Sequence, residues 1–256
     1  MIIDAHVHIG KMILNRESLE NNFEIALEMA DRHNIEKIFC TSTTSLYYDF
    51  ETGDRQILEG LRKYPDRVLA YATVTTPRHG DRLMNHLKKC FFEYGFHGIK
   101  IYSHTMGIGS YESYISITDE YMNPVYEFAS KHRIPVLAHS TPEQCDLVCE
   151  RFPELRLIEA HMGSTQIAHG QWHTALAVAK RRPNLILDTT SSGMDLGMVE
   201  AAVEAIGDER IIWGSDVPLL AIGYNIAKIT SAEIPESSKR KILGENIARL
   251  VSEVIR

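Results

Sequence analysis

The chain repeats one pattern along its length: a short run rich in Ile, Val and Leu, followed by an amphipathic stretch of helical length. Eight such apolar runs occur, at residues 2–8, 37–42, 68–74, 98–103, 135–140, 155–162, 185–190 and 210–218. Helical patterns lie between and after them, at residues 18–33, 54–64, 81–94, 119–132, 142–151, 172–182, 198–206, 221–229 and 235–254. Regular alternation of buried strands with helices predicts a parallel sheet with right-handed crossovers.

Eight strand–helix units in 256 residues favour a closed barrel, because a (β/α)8 barrel typically takes about 250 residues. The predicted fold class is therefore α/β, as a distorted (β/α)8 TIM barrel. An open doubly wound sheet is the alternative, but no Gly-rich phosphate loop follows the first strand, which removes the commonest nucleotide-binding version of that fold. No linker or break in composition divides the chain, so residues 1–256 are expected to form a single domain.

The net charge of −7 gives no basic footprint for nucleic acid or for an anionic membrane. The chain has no run of about eighteen apolar residues, and its first strand begins at once, so we expect neither a transmembrane helix nor a leader peptide. Four cysteines lack the spacing of a disulfide framework, namely Cys40, Cys90, Cys145 and Cys149. We expect reduced thiols in a cytoplasmic protein that binds neither nucleic acid nor membranes.

The first strand carries the most informative motif. It reads Ile-Ile-Asp-Ala-His-Val-His-Ile over residues 2–9, with polar side chains at every second position from Asp4 to His8. Because a strand alternates its faces, Asp4, His6 and His8 are predicted on one face, with the two histidine backbones about 7 Å apart. Their rings can converge on one ion. His-x-His also occurs by chance in half-buried strands, so a metal site needs support from elsewhere in the chain.

Three other runs end in residues of the same kind. His139 ends the fifth run, His161 lies near the end of the sixth and Asp216 near the end of the eighth. All strand ends of a barrel meet at one face, so these side chains are predicted to surround the barrel mouth together with His6 and His8. Imidazole and carboxylate suit zinc and related first-row ions. We therefore predict a divalent-metal centre, with zinc favoured and manganese or another first-row ion as alternatives.

A metal centre of this composition can activate water for attack on a substrate. Asp216 can bind the ion and also accept the proton of that water. His161 is close by but is not needed as a ligand, so it can orient water or stabilise charge on the substrate. Both residues are therefore predicted to be catalytic.

Together, these motifs resemble the amidohydrolase superfamily of metal-dependent hydrolases. The resemblance is closest to the branch that contains small bacterial amidohydrolases, aminocarboxymuconate semialdehyde decarboxylase and related aromatic-acid decarboxylases. It implies that His6, His8, His139 and Asp216 ligate the metal and that His161 is the catalytic histidine, in a distorted barrel that often forms homo-oligomers. The segments that carry it follow the family's order: Ile3-Asp4-Ala5-His6-Val7-His8, Gly98-Ile99-Lys100-Ile101-Tyr102, Pro135-Val136-Leu137-Ala138-His139, Ala160-His161-Met162-Gly163 and Gly214-Ser215-Asp216-Val217-Pro218.

Other residues on these strands are candidates for secondary roles. Many superfamily members carry a carboxylated lysine on the fourth strand. Lys100 either plays that role, contacts a substrate carboxylate or pairs with a buried acid, and Tyr102 and His104 are further predicted substrate contacts. Asp4 is predicted to support a ligand or to be a packed polar residue. Glu159 is predicted to face the barrel interior, because it lies two residues before His161, and an unpaired carboxylate there would be costly. We expect it to pair with Lys100 or to hydrogen-bond a ligand histidine.

Three functions fit these residues. The first is hydrolysis of a small amide, lactone or ester by metal-activated water, and the compact chain favours it. The second is non-oxidative decarboxylation of a small unsaturated or aromatic acid. The third is a barrel that binds metal or a partner without turnover, which the intact histidine and aspartate set argues against. The resemblance also extends to TatD-type deoxyribonucleases, but the acidic net charge and Lys100 weaken that interpretation. The predicted partner is a small-molecule substrate.

Overall fold

Nine strands form one sheet in the computed structural model, which describes residues 1–14, 17–75, 80–102, 116–163, 171–191 and 195–255. The spatial order is β2-β1-β3-β4-β5-β6-β7-β8-β9, and all neighbouring pairs are parallel except β1 with β2. The strands are β1 (Ile3–Leu14), β2 (Glu17–Asn21), β3 (Lys37–Ser42), β4 (Val68–Val74), β5 (Gly98–Ile101), β6 (Pro135–Ala138), β7 (Arg156–Glu159), β8 (Leu185–Asp188) and β9 (Ile211–Ile212).

Backbone hydrogen bonds join the first strand to the segment at and after the last one. The Ala5 N–H donates to the Trp213 carbonyl at 3.2 Å, and the His8 N–H donates to the Val217 carbonyl at 2.9 Å. The eight parallel strands therefore close into the predicted (β/α)8 TIM barrel. The seam of closure lies between β1 and residues 213–217, which matters for the site described below.

Helices follow the strands and form the outer layer. Several helices begin after an N-cap residue whose side chain accepts a backbone hydrogen bond. The Asn22 side chain accepts the Ile25 N–H, and Thr141 forms a reciprocal capping box with Gln144. No helix in the described part of the chain is long and apolar enough to cross a membrane. The helices are α1 (Phe23–Arg32), α2 (Thr43–Tyr47), α3 (Phe50–Lys63), α4 (Asp81–Phe92), α5 (Asn123–Lys131), α6 (Pro142–Arg151), α7 (Trp172–Arg181), α8 (Met198–Ile206), α9 (Ile222–Thr230), α10 (Glu236–Arg240) and α11 (Asn246–Ser252).

Two details of the chain differ from the predicted pattern. The helix expected from residue 18 begins at Phe23, because residues 17–21 form the antiparallel strand β2 against the extended end of β1. The last predicted strand, over residues 210–218, keeps continuous strand pairing only at Ile211–Ile212, and beyond it Val217 forms a single parallel bridge with Val7. Hydrophobic periodicity reports which residues are buried, but it does not report where backbone pairing stops.

Apolar side chains pack on both faces of the sheet. Alternate strand residues such as Phe39, Leu137 and Ile158 fill the barrel interior together with Ile247 of α11. The residues between them, such as Leu157, face the helices in a larger cluster. Burial on both faces is what a parallel barrel requires. The lower interior is therefore solid, and the polar groups of the barrel collect towards its carboxyl-terminal mouth.

Candidate metal centre

A register shift in β1 aims its two histidines into the barrel. The pairing of β1 with β3 is interrupted between Asp4 and Val7. Ala5 packs in the interior cluster, whereas Val7 packs against the helices. After this change of direction, the side chains of His6 and His8 point into the barrel mouth, where they are almost fully buried. Asp4 lies before the shift, so the prediction that it shares a face with His6 is wrong.

Asp216 reaches the same point from the opposite side of the seam. Its Oδ1 atom lies 2.8 Å from Nε2 of His8 and 3.7 Å from Nε2 of His6. Its backbone N–H donates to the His6 carbonyl at 2.9 Å, which fixes the two segments against each other. Asp216 adopts a left-handed backbone conformation, with φ of 62°. Such a conformation is uncommon outside glycine and often marks functional positions.

His139 and His161 complete the histidine cluster. Their Nε2 atoms are 2.9 Å apart, and their rings stack with centroids separated by 4.9 Å. Strand alternation would point His161 towards the helices, since Ala160 belongs to the interior cluster. A left-handed backbone at His161, with φ of 68°, breaks that alternation and turns the ring into the mouth. The ring Nδ1–H donates to the Thr190 carbonyl at 2.9 Å, which leaves Nε2 directed at the cluster.

The electrostatics of these residues suit a divalent cation. Burial lowers the pKa values of His6, His8 and His139, so their imidazoles are neutral and offer lone pairs. Burial acts to raise the pKa of Asp216, but the hydrogen bond with His8 is the largest of the opposing effects that lower it overall, so the carboxylate is ionised. Donor atoms of two overlapping triads, one with His6, His8 and Asp216 and one with His6, His139 and His161, each lie within 4.8 Å of one another. The donor set fits a divalent-metal centre.

Lys100 and Tyr102 lie inside this cluster. The Lys100 Nζ atom is 2.9 Å from Nε2 of His6 and 3.3 Å from Nε2 of His139, so both rings direct a nitrogen at the same amino group. Burial lowers the pKa of Lys100 to about 7. The Tyr102 hydroxyl lies 2.9 Å from Nδ1 of His8 and therefore holds that ring. His104, the other predicted substrate contact, lies outside the described residues.

Asp188, at the end of β8, is a site residue that the sequence analysis missed. Its Oδ2 atom accepts the Nδ1–H of His6 at 2.8 Å, so Nε2 of His6 keeps its lone pair. The other carboxylate oxygen accepts the Thr190 N–H at 3.0 Å. Asp188 is fully buried and ends a strand. A polar residue at the end of a buried strand, the feature that points to His139 and Asp216, is therefore present here as well.

The family model described as amidohydrolase matches residues 3–252. The chain belongs to the amidohydrolase family. Part of this amidohydrolase is also similar to L-fucono-1,5-lactonase of Burkholderia ambifaria, with 30% identity over 119 residues, which are 40% of this chain and 41% of the lactonase. The chain thus matches less than half of that relative's length.

Solved structures share the fold of this amidohydrolase. The 2,6-dihydroxybenzoate decarboxylase from Rhizobium superposes with a TM-score of 0.75 at 16% identity, covering 98% of each chain. A dihydroxybenzoic acid decarboxylase from a Polaromonas species, solved with bound manganese and the inhibitor 2-nitroresorcinol, has a TM-score of 0.75 at 15% identity, covering 98% of this chain and 96% of that one. Similarity at these identities establishes the TIM-barrel fold.

In this amidohydrolase, replacement of Asp188 by asparagine is expected to weaken divalent-metal binding about 10–100-fold, which is typical of groups that orient a ligand histidine. The amide retains an acceptor oxygen for His6 but loses the carboxylate that makes the ring more basic. A chelator-competition titration measures the effect. The Asp208→Asn variant is the control, because Asp208 pairs with Lys241 on the outer layer. Equal metal affinity in the folded Asp188 variant and the wild type would contradict the role of Asp188.

Asp4 and Glu159, the two acids predicted to support the ligand residues, form no hydrogen bond with the histidine rings in the described part of the chain. Asp4 accepts the backbone N–H groups of Ser215 at 2.8 Å and His6 at 3.2 Å, so it joins the segments on either side of the seam. Glu159 lies on the same face of β7 as Leu157 and close to Cys145 and Cys149 of α6, so the prediction that it pairs with Lys100 or a ligand histidine is wrong. Neither of its oxygens has a hydrogen-bond partner among the described residues. The left-handed turn at His161 is the reason, since strand alternation does not continue through it.

Glu159 is expected to make the stability of this amidohydrolase depend on pH. Burial, followed by the charge of Glu143, raises the pKa of Glu159 from 4.5 to about 8. The folded protein therefore keeps a proton that the unfolded chain has released. The stabilisation is fully present below pH 4.5 and is lost as the pH rises through about 8. Across that window the wild type should lose about 1.4 kcal/mol of unfolding free energy per pH unit relative to Glu159→Gln, which cannot ionise.

Urea unfolding of both proteins at several pH values within this window measures the difference. The Glu143→Gln variant is the matched control, since Glu143 is exposed on α6 and should preserve most of the wild-type slope. Parallel stability curves for the wild type and Glu159→Gln would show that Glu159 is ionised in the folded protein.

Proposed function

We propose that this amidohydrolase hydrolyses a small lactone, ester or amide with water activated at the barrel mouth. The observation that carries the proposal is the position of Asp216. Its ionised carboxylate lies 2.8 Å from His8 and 3.7 Å from His6, beside neutral imidazoles at the carboxyl ends of the strands. A carboxylate in that position can serve both as a metal ligand and as the base for a water molecule.

His6, His8, His139 and Asp216 are the residues that would hold the ion, and their nitrogen and oxygen donors favour zinc. A bound divalent ion supplies Lewis acidity, which polarises a carbonyl oxygen and lowers the pKa of water towards about 7. Metal analysis of protein purified without chelator distinguishes zinc from manganese and gives the stoichiometry.

The protein's own groups account for the remaining steps. Asp216 accepts the proton of the attacking water on its carboxylate. His161 is fixed through Nδ1 by the Thr190 carbonyl, so Nε2 is the atom that exchanges a proton with the substrate or stabilises its developing charge. Asp188 and Tyr102 hold the rings of His6 and His8 in place. Lys100, with a pKa of about 7, can lose its charge near neutral pH and so does not oppose binding of a cation.

The similarity to a lactonase supports the hydrolytic reaction and makes a sugar lactone or another small lactone the first substrate class to test. The similarity covers 119 residues. Lactones also need only the groups present here, namely a base for water and a proton donor for the leaving alkoxide.

Decarboxylation of a small unsaturated or aromatic acid is the second candidate function. Lys100 favours it, because an amine at the centre of the cluster can pair with a substrate carboxylate. The decarboxylases that share this fold make the same substrate class worth testing. The two reactions differ in the fate of the substrate's carbon atoms.

A screen of lactones, esters, amides and aromatic acids with zinc- and manganese-loaded protein tests both candidates. In ¹⁸O-labelled water, hydrolysis gives one product from a lactone and two from an ester or amide, which together retain every carbon and carry the labelled oxygen on the new carboxylate. In deuterated water, decarboxylation gives a product one carbon shorter with deuterium on carbon, together with carbon dioxide. The metal-free protein is the control. Only the first outcome supports the proposed hydrolase, and the second replaces it with the decarboxylase.

A further inference from the structure

A second group of metal-type donors lies in the outer layer, between α3 and α4. Asp54 belongs to α3, and His86 and Cys90 belong to α4. His86 and Cys90 are four residues apart, so they occupy one face of their helix, one turn from each other. Asp54 and Cys90 are 1% and 0% exposed, and the side chain of His86 is 9% exposed. None of the three contributes to the barrel-mouth centre.

The three side chains converge on one point. Nε2 of His86 lies 2.9 Å from Oδ2 of Asp54 and 3.3 Å from Sγ of Cys90, and the sulfur lies 4.0 Å from Oδ2. Four-coordinate zinc, with bonds of about 2.0–2.3 Å, separates its ligand atoms by about 3.3–3.8 Å. Small side-chain movements would therefore bring the three donors into a zinc coordination sphere.

A nucleophile–histidine–acid relay does not explain this geometry. In such a relay the acid binds one ring nitrogen and the other nitrogen activates the nucleophile. Here the same nitrogen, Nε2 of His86, faces both Asp54 and Cys90. Donors that share one focus are suited to a common ion rather than to passing a proton along a chain.

The residues around Asp54 and His86 restrict the carboxylate and leave space for a further ligand. Both oxygens of Asp54 accept the Thr73 N–H at 3.1 Å, and Oδ1 also accepts the Ser45 hydroxyl at 3.2 Å, so the carboxylate cannot rotate freely. His86 borders a cavity of about 320 Å³, which leaves room for a fourth ligand such as water. Arg55 contributes to the cavity wall, so a small anion could also take that position.

We propose that Asp54, His86 and Cys90 form a second divalent-cation site of zinc type, independent of the barrel-mouth centre. Thiolate, imidazole and carboxylate together select zinc over the hard cations magnesium and calcium. Binding forms a metal–sulfur bond, and the thiol proton of Cys90 passes to solvent. The open fourth position faces the cavity and takes water or a small anion.

Cobalt(II) titration of metal-free, full-length protein tests the site. Cobalt bound to thiolate gives an intense charge-transfer absorption in the near ultraviolet. The donors described for the barrel-mouth centre contain no sulfur, so this absorption reports only the outer site. We expect the band in wild type and in His6→Ala, and its loss in Cys90→Ser. The wild type should also bind one equivalent of cobalt more than Cys90→Ser does.

Two further variants keep the result interpretable. Cys149→Ser removes another buried thiol on an outer helix and should retain the band. His86→Gln should lose it, and circular dichroism establishes whether each variant is folded. Absence of the band in wild type at saturating cobalt, or its persistence in folded Cys90→Ser, would overturn the proposal.

Discussion

The His139→Ala protein is expected to lose its barrel-mouth metal, whereas His161→Ala should keep the metal and lose about 10²–10⁴-fold in turnover, the usual contribution of a general acid or base. Nε2 of His139 is directed at Lys100 and at His161, in the middle of the donor cluster. His161 is tethered through Nδ1 to a backbone carbonyl, which suits a residue that positions a proton. The two stacked rings should therefore have separable roles.

Metal content by elemental analysis and turnover of the screened substrate measure the two effects independently. The His33→Ala variant is a suitable control, because His33 caps α1 in the outer layer and should change neither quantity. Equal metal loss in both site variants would make His161 a ligand. In that case the triad of His6, His139 and His161 would describe a second ion in the mouth.

Replacement of Asp216 by asparagine is expected to lower kcat/KM by about 10⁴-fold, the upper end of the range for loss of a general base. The amide can still occupy the space between His6 and His8, but it has no negative charge to offer an ion and cannot accept a proton from water at neutral pH. The loss should appear mainly in kcat, because the substrate still meets the remaining groups of the mouth.

Asp146→Asn provides the comparison for this variant, since Asp146 pairs with Arg181 and Arg182 on the outer helices. Its kinetics should match those of wild type. Addition of excess zinc separates weakened metal binding from loss of the proton acceptor in Asp216→Asn. Metal binding should recover, but turnover should not. Full recovery of turnover with metal alone would assign Asp216 to ligation and remove it from proton transfer.

The sequence predicted the barrel and most of its mouth for a simple reason. Buried parallel strands are continuous apolar runs, so a polar residue at the end of one is conspicuous and has few places to go in a closed barrel. His139 and Asp216 were found in this way. Asp188 ends a strand equally clearly, but an acid that orients a ligand histidine does not itself complete a ligand set, so the metal motif does not point to it.

Backbone irregularities account for the errors. The register shift in β1 separates Asp4 from His6, and the left-handed turn at His161 separates that residue from Glu159. The two-residue period from which side-chain direction is predicted does not hold at these positions. Both interruptions lie at the candidate site, where local rules of regular structure are most often broken. The hydrophobic pattern of the sequence does not indicate them.

The hydrogen-bonded closure between β1 and residues 213–217 has a thermodynamic consequence. His6 and His8 lie on one side of this seam and Asp216 lies on the other, so an ion bound by all three would link the two sides. It would bind only the closed protein and would add about 4 kcal/mol to the free energy of unfolding at a thousandfold excess over its dissociation constant. His8 and Asp216 are 208 positions apart in the chain, so capture of the cation would require all the strands between them to be in place.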